Sequence, residues 1–183
     1  MAREIILGID PGSRKTGYGV VLMEGRDPQY LGSGCIMMNT EESLAERLLL
    51  IFESVTSLVE QFHPTMMAIE EVFVSKNVQS TIKLAEARSA AMVAGAKQGL
   101  KVYEYTPMQI KQAVVGYGAA AKEQVQFMVT KILHLNGRPQ ADAADALACA
   151  ICHAYTYKVS SALALNGLSQ LGSSVRGRYR SWN

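Results

Sequence analysis

Three segments of this chain carry carboxylates where carboxylates do chemistry. Asp10 closes the apolar run IILGID, just before the glycine-containing turn PGS. Glu70 and Glu71 close the apolar run MMAIEE. Asp142 and Asp145 stand three residues apart in PQADAADALACAI, a spacing that puts both on one face of a helix. Each has an ordinary explanation. Acids are favoured in a first helical turn by the helix dipole, and a strand often ends on its first solvated residue. Yet a charge inside or at the end of a strand buried on both faces needs a partner or a cation. Glu70 and Glu71 point to opposite sides of a strand, so only one of them can join Asp10, and the residues alone do not choose.

If these acids converge, they repel unless protonated or bridged by metal. Hard oxygen ligands without a His/Cys cluster indicate Mg²⁺ or Mn²⁺ rather than zinc. Two such ions ~3.5–4 Å apart serve phosphoryl hydrolysis, one activating water and the other stabilising the leaving oxygen. The charge distribution fits that use. Residues 1–71 hold 5 Lys/Arg and 11 Asp/Glu, whereas residues 72–183 hold 13 Lys/Arg and 5 Asp/Glu. Between residues 87 and 122 the only acid is Glu104, against Arg88, Lys97, Lys101, Lys111 and Lys122. Such a stretch reads either as scattered solvated lysines or as the footprint of a polyanion. An acidic pocket beside a basic surface suits DNA, with lysines holding the backbone and metals inverting the charge at the bond to be cut.

The elements that must position these residues follow from periodicity. Residues 5–10, 18–23 and 30–38 read as three consecutive strands, with Gly12, Ser13 and Gly17 in the first turn. Apolar residues from Leu44 to Phe62 recur at three and four, an amphipathic helix stopped before Pro64. A strand is predicted over 66–73, a helix over 81–98 ended by Gly99, and a short strand over 102–105. Pro107 opens a helix, and further helices are predicted over about 122–135 and 142–157. The order is an α/β pattern with a mixed sheet.

With 183 residues, 49% of them apolar, the chain makes one domain with a full core. No apolar run approaches the ~20 residues of a membrane span, so no membrane association is expected. No secretory signal is apparent, and three cysteines do not suggest a disulfide framework, so a reducing, cytoplasmic setting is expected. The segment CAICH matches a haem-attachment pattern, but it lies inside an apolar helix, where Cys149 and Cys152 read as small core residues. His63, His134 and His153 form no local cluster, and no second ligand pair for zinc is present.

Four segments together, GIDPGSRKTGYG, AIEEVF, KQAVVGYGAAAKEQVQ and RPQADAADALA, closely resemble the Holliday-junction resolvases of the RuvC family, in family order and spacing. The likeness covers roughly residues 4–157. It implies a ribonuclease H-like fold, a central five-stranded mixed sheet flanked by helices, over 1–158, with 159–183 a flexible basic tail bearing Arg176, Arg178 and Arg180. It implies that Asp10, Glu70, Asp142 and Asp145 are the catalytic carboxylates and bind Mg²⁺, with Mn²⁺ a possible substitute and two ions per site. It resolves the choice at residues 70 and 71 in favour of Glu70. Phe73 is then expected near bases at the crossover, and Lys111 and Lys122 near the scissile strand. The activity implied is cleavage of two strands of like polarity at symmetric points of a four-way junction, in homologous recombination and DNA repair. A homodimer and branch-migration motor proteins are the implied partners.

Two other readings compete. An actin-like ATPase shares the fold and an aspartate before a glycine turn, but needs two such domains and a second phosphate loop, which this chain lacks. A non-cleaving junction-binding module would have no need of all four acids.

Overall fold

In the computed structural model, residues 3–25, 27–73 and 77–165 are described. The chain opens with strands β1 (Glu4–Asp10), β2 (Lys15–Met23) and β3 (Pro28–Met37). Helix α1 (Leu44–Phe62), strand β4 (Met66–Glu70), helix α2 (Val78–Lys97) and strand β5 (Lys101–Tyr105) follow. Three helices complete it: α3 (Pro107–Val115), α4 (Lys122–Ile132) and α5 (Ala141–Leu165). The sheet order is β3-β2-β1-β4-β5. The first three strands are antiparallel, while β4 runs parallel to both β1 and β5. This is the expected mixed five-stranded sheet of a ribonuclease H-like fold.

Local chemistry fixes the helix ends. Ser43 and Glu46 form a reciprocal capping box on α1, and Thr106 and Gln109 form another on α3, where Pro107 occupies the first turn. His63 closes α1 in the left-handed conformation (φ 49°), just before Pro64. Alternation along β1 then sorts the core into two layers. Leu7 and Ile9 face α1 and α2 together with Val20, Met67 and Ile69. Ile6 faces α3, α4 and α5 together with Val21, Met66 and Ala68.

Helix α5 is the element that matters most for the site. From Ala143 to Ala154 it is almost entirely buried, as befits a helix apolar all round. It lies on the sheet unusually closely because three sheet positions lack side chains. A Cβ at Gly8 would come within 2.1 Å of the Ala146 carbonyl oxygen, and one at Gly17 within 2.0 Å of the Asp142 carbonyl oxygen. A Cβ at Gly19 would meet Leu147 at 2.7 Å.

Several boundaries differ from the sequence reading. Gly17 belongs to β2 and not to the turn, which Gly12 and Thr16 close with reciprocal hydrogen bonds of 3.4 and 3.3 Å. Strand β4 stops at Glu70, because its neighbour β5 ends at the paired Tyr105, so Phe73 lies beyond the sheet. Helix α4 ends at Ile132, and His134 follows in the left-handed conformation (φ 50°). Helix α5 continues through Leu165, across the boundary expected at 158/159. Arg176, Arg178 and Arg180 lie outside the described residues.

Among the described residues no helix is long and apolar enough to cross a membrane. Cys149 and Cys152 are free thiols buried in α5. His153 is likewise buried, with its Nδ1 hydrogen-bonded to the Tyr105 hydroxyl at 2.7 Å, so the CAICH segment is core.

Candidate active site

The carboxyl end of the parallel strands gathers the acids, as open α/β sheets do with their ligands. Alternation puts Ile6, Gly8 and Asp10 on the α5 side of β1, and Met66, Ala68 and Glu70 on the same side of β4. The register pairs Gly8 with Ala68 and Ile9 with Ile69, so Asp10 and Glu70 stand side by side at adjacent strand ends. Glu71 begins the segment after β4. In the other direction Asp10 pairs with Gly17, the residue over which the Asp142 backbone lies. The missing side chain at Gly17 therefore brings the first turn of α5, with Asp142 and Asp145, up to Asp10. All four expected carboxylates are drawn to one end of the sheet.

Their fields confirm that proximity. Burial first, and then the charges of Glu70, Asp145 and Asp142, together raise Asp10 from its ordinary 3.8 to about 8 against the opposing pull of Lys122. Burial first, and then Asp145, raise Glu70 to about 7 against the opposing charges of Lys122 and Lys111. Asp145 is also raised by burial, although Lys122 Nζ lies 2.6 Å from its Oδ2. Desolvation thus outweighs that ion pair, while the pairing holds the Lys122 ammonium above its ordinary value. Lys111 and Lys122 both lie within electrostatic reach of Glu70 and Asp145. Phe73 is 59% exposed beyond the strand, free to meet a partner.

The donor set suits a hard divalent cation: oxygen ligands only, and four carboxylates against two lysines. Among the described residues, no three His, Cys, Asp or Glu side chains are yet drawn around one point at ligating range.

Other contributors left weak signals in the sequence. Cys35 pairs with Gly17 on β3, so its half-buried thiol sits at the rim of the site. Burial and Asp142 raise it, and the Ala143 N–H donates toward its sulfur. Arg88 was readable only as one cation of the basic stretch. Its Nε donates to the Glu70 carbonyl oxygen at 3.1 Å, and its Nη2 pairs with Glu104.

The chain is similar to known proteins over most of its length. The family model described as Crossover junction endodeoxyribonuclease RuvC matches residues 6–153. The protein of that name from Pseudoalteromonas atlantica is 57% identical over 176 residues, 96% of this chain and 99% of its own. Its counterpart from Vibrio vulnificus is 56% identical over the same shares. Among solved structures, Thermus thermophilus RuvC in complex with Holliday junction substrate superposes with a TM-score of 0.82 at 36% identity, covering 86% of this chain and 97% of that one. The yeast mitochondrial Holliday junction resolvase Ydc2, at a TM-score of 0.66 and 13% identity, shares the fold, covering 91% of this chain and 83% of its own.

Proposed function

The chain belongs to the RuvC family of crossover junction endodeoxyribonucleases, and from that premise we propose that Asp10, Glu70, Asp142 and Asp145 are the catalytic carboxylates of a Holliday-junction resolvase. The enzyme hydrolyses a phosphodiester in each of two strands of like polarity. Water adds to phosphorus, the bond to the 3′ oxygen breaks, and a 5′-phosphate and a 3′-hydroxyl remain, ends that a ligase can join.

The four acids would hold Mg²⁺, or Mn²⁺ in its place, with two ions per site. The chemistry such ions supply is charge neutralisation at the scissile phosphate and activation of the attacking water. Asp10 and Glu70 offer their oxygens from rigid strand ends. Asp142 and Asp145 close the site from α5. Lys122, held on Asp145, keeps a positive charge beside the phosphate as negative charge develops there. Lys111 adds a second cation, and the exposed ring of Phe73 stacks on a base opened at the crossover. The nuclease unit spans about residues 1–158, and residues 159–183 are an appended segment that begins within α5.

A four-way junction has two-fold symmetry, so a C₂ dimer presents one site to each cut strand. The surface for the second copy is the face opposite the acids. There Leu49, Ile82 and Val93 are more than half exposed around an apolar groove of about 680 Å³ between α1 and α2. Motor proteins that migrate the branch are the remaining partners, in a cytoplasmic setting.

The observation that supports this reading is geometric: Asp10 and Glu70 end adjacent strands beside the first turn of α5, which carries Asp142 and Asp145, an arrangement of buried acids that a binding-only module would have no use for. The test is a synthetic four-way junction incubated with and without Mg²⁺. Paired symmetric nicks that need the ion support the reading, and indiscriminate duplex degradation refutes it.

A further inference from the structure

We propose that Arg88 is a positioning residue, a clamp that fixes the peptide plane from which the Glu70 carboxylate and the Phe73 segment both depart. The inference rests on the catalytic role of Glu70 given above.

Consider the peptide group joining Glu70 to Glu71. Its carbonyl oxygen accepts from Arg88 Nε at 3.1 Å. Its N–H donates to the Tyr105 carbonyl oxygen at 2.8 Å. A peptide group is rigid, so anchoring both ends fixes ψ of Glu70 on one side and φ of Glu71 on the other. The first angle sets where the Glu70 side chain starts relative to Asp10. The second sets the direction in which residues 71–73 leave the sheet. The strand ladder does not supply this constraint alone, because β1 pairs with β4 only as far as Ile9 and Ile69.

Arg88 reaches this carbonyl from α2, on the sheet face opposite the acids. Glu104 pairs with Ile69 in register and presents its carboxylate to that same face, where it binds the Arg88 Nη2. The guanidinium is therefore held by a fork, one nitrogen on a carboxylate and another on a main-chain oxygen, a geometry that lysine cannot reproduce. The Arg88 side chain is only 18% exposed, and Glu104 balances its charge. It serves as a fixed donor rather than as a surface cation offered to DNA.

The test uses the full-length protein carrying Arg88→Lys or Glu104→Gln. Three quantities are read: the single-turnover rate at saturating junction, junction affinity in chelator, and Mn²⁺ binding by calorimetry without DNA. Because displacements near 1 Å at a reacting centre cost ~10²-fold, Arg88→Lys is expected to lower the rate ~10–100-fold and to weaken Mn²⁺ binding several-fold, with junction affinity within about 2-fold. Glu104→Gln leaves the bond to Glu70 in place and is expected to lose about 3–10-fold by the same argument. Wild-type rate and Mn²⁺ affinity in Arg88→Lys would overturn the clamp. So would a loss confined to junction affinity, which would make Arg88 a phosphate contact. If Arg88→Lys fails to fold, Glu104→Gln decides, and wild-type behaviour there sinks the proposal. Should the unsubstituted enzyme fail to cut, the nuclease reading falls by itself, and the Mn²⁺ titration still reads the clamp.

Discussion

Replacing Asp10 by asparagine is expected to stabilise the metal-free protein while abolishing cleavage. The carboxyl is partly buried and raised from 3.8 to about 8, by burial first and then by Glu70, Asp145 and Asp142. Below pH 3.8 both folded and unfolded chains hold the proton, and the group costs nothing. As pH rises from 3.8 toward 8 the unfolded chain gives up the proton and the folded chain keeps it. Stability then falls by ~1.4 kcal/mol per pH unit, and levels off above pH 8. At pH 7 that amounts to about 4 kcal/mol for Asp10 titrating alone. Glu70 titrates against it and some water contact remains, so about 2 kcal/mol is the working figure. For a chain of this length that is a rise of about 4–8 °C in Tm. The assay is thermal unfolding of both proteins in chelator from pH 4 to 8.5, then with millimolar Mg²⁺. In chelator the variant should gain over the wild type as pH rises, with the two curves meeting near pH 4. With Mg²⁺ the order should narrow or reverse, because the wild type binds the ion better and binding to the folded state stabilises it. Junction binding should survive the substitution. A pH-independent difference, or a variant less stable than the wild type in chelator at pH 8, would refute the claim that Asp10 lies among uncompensated carboxylates.

Gly17→Ala tests the close approach of α5. Its Cβ would fall 2.0 Å from the Asp142 carbonyl oxygen, so the helix start must move, at a cost of about 1–3 kcal/mol in urea unfolding and with loss of cleavage. Retained cleavage would show that the distance between α5 and β2 is immaterial. His153 is 1% exposed, and burial lowers it from 6.5 to about 4. The unfolded chain therefore takes up a proton first as pH falls through that window, and this part of the stability is lost. The advantage of wild type over His153→Phe should shrink by about 2–3 kcal/mol between pH 7 and pH 4.5 in denaturant titrations, and a constant gap would refute the buried neutral imidazole. Phe73→Ala removes a ring that is 59% exposed. Tm should hardly change, while junction affinity or cleavage drops by the ~1–3 kcal/mol of one base–aromatic stack; a large fall in Tm with unaltered junction affinity would make Phe73 a core residue instead.

What could be read from the sequence was whatever the local pattern dictates. Short apolar runs separated by glycine-containing turns gave the opening strands, and spacings of three and four gave α1 to its last residue. The position of each acid at an element's end was visible, because a carboxylate directly after the apolar runs IILGI and MMAI has no local cation to pair with. Gly17 was misread for a physical reason. Glycine commonly marks a turn because it tolerates positive φ, but here it is required for its missing Cβ beneath a helix that is far away in sequence. The limit of β4 was also a tertiary matter. Val72 and Phe73 favour strands by type, yet the pairing strand ends at Tyr105 and leaves them nothing to pair with. Arg88 was beyond reach for a third reason: its partner is a main-chain carbonyl, which every residue has and no sequence pattern marks.

These observations connect packing to catalysis through a single conflict. Four carboxylates brought to one sheet end repel one another, and no local preference of the chain would gather them. The force that does so comes from elsewhere in α5. Leu147, Ile151 and the alanines between them are fully buried against the sheet, and each fully buried large aliphatic side chain contributes about 1.5–3 kcal/mol. Gly8, Gly17 and Gly19 let that burial proceed at backbone distance, so the apolar middle of the helix carries its acidic first turn into a place the acids themselves disfavour. Electrostatic strain at Asp10 and Glu70 is thus maintained by hydrophobic burial one to three turns away. On the proposed reading, the same strain favours a divalent ion over leaving Asp10 and Glu70 half protonated. It follows that a small cavity at Leu147, fully buried in the apolar middle of the helix, should on that reading relax the acids and weaken ion binding together, a loss that a Mn²⁺ titration of Leu147→Ala would show.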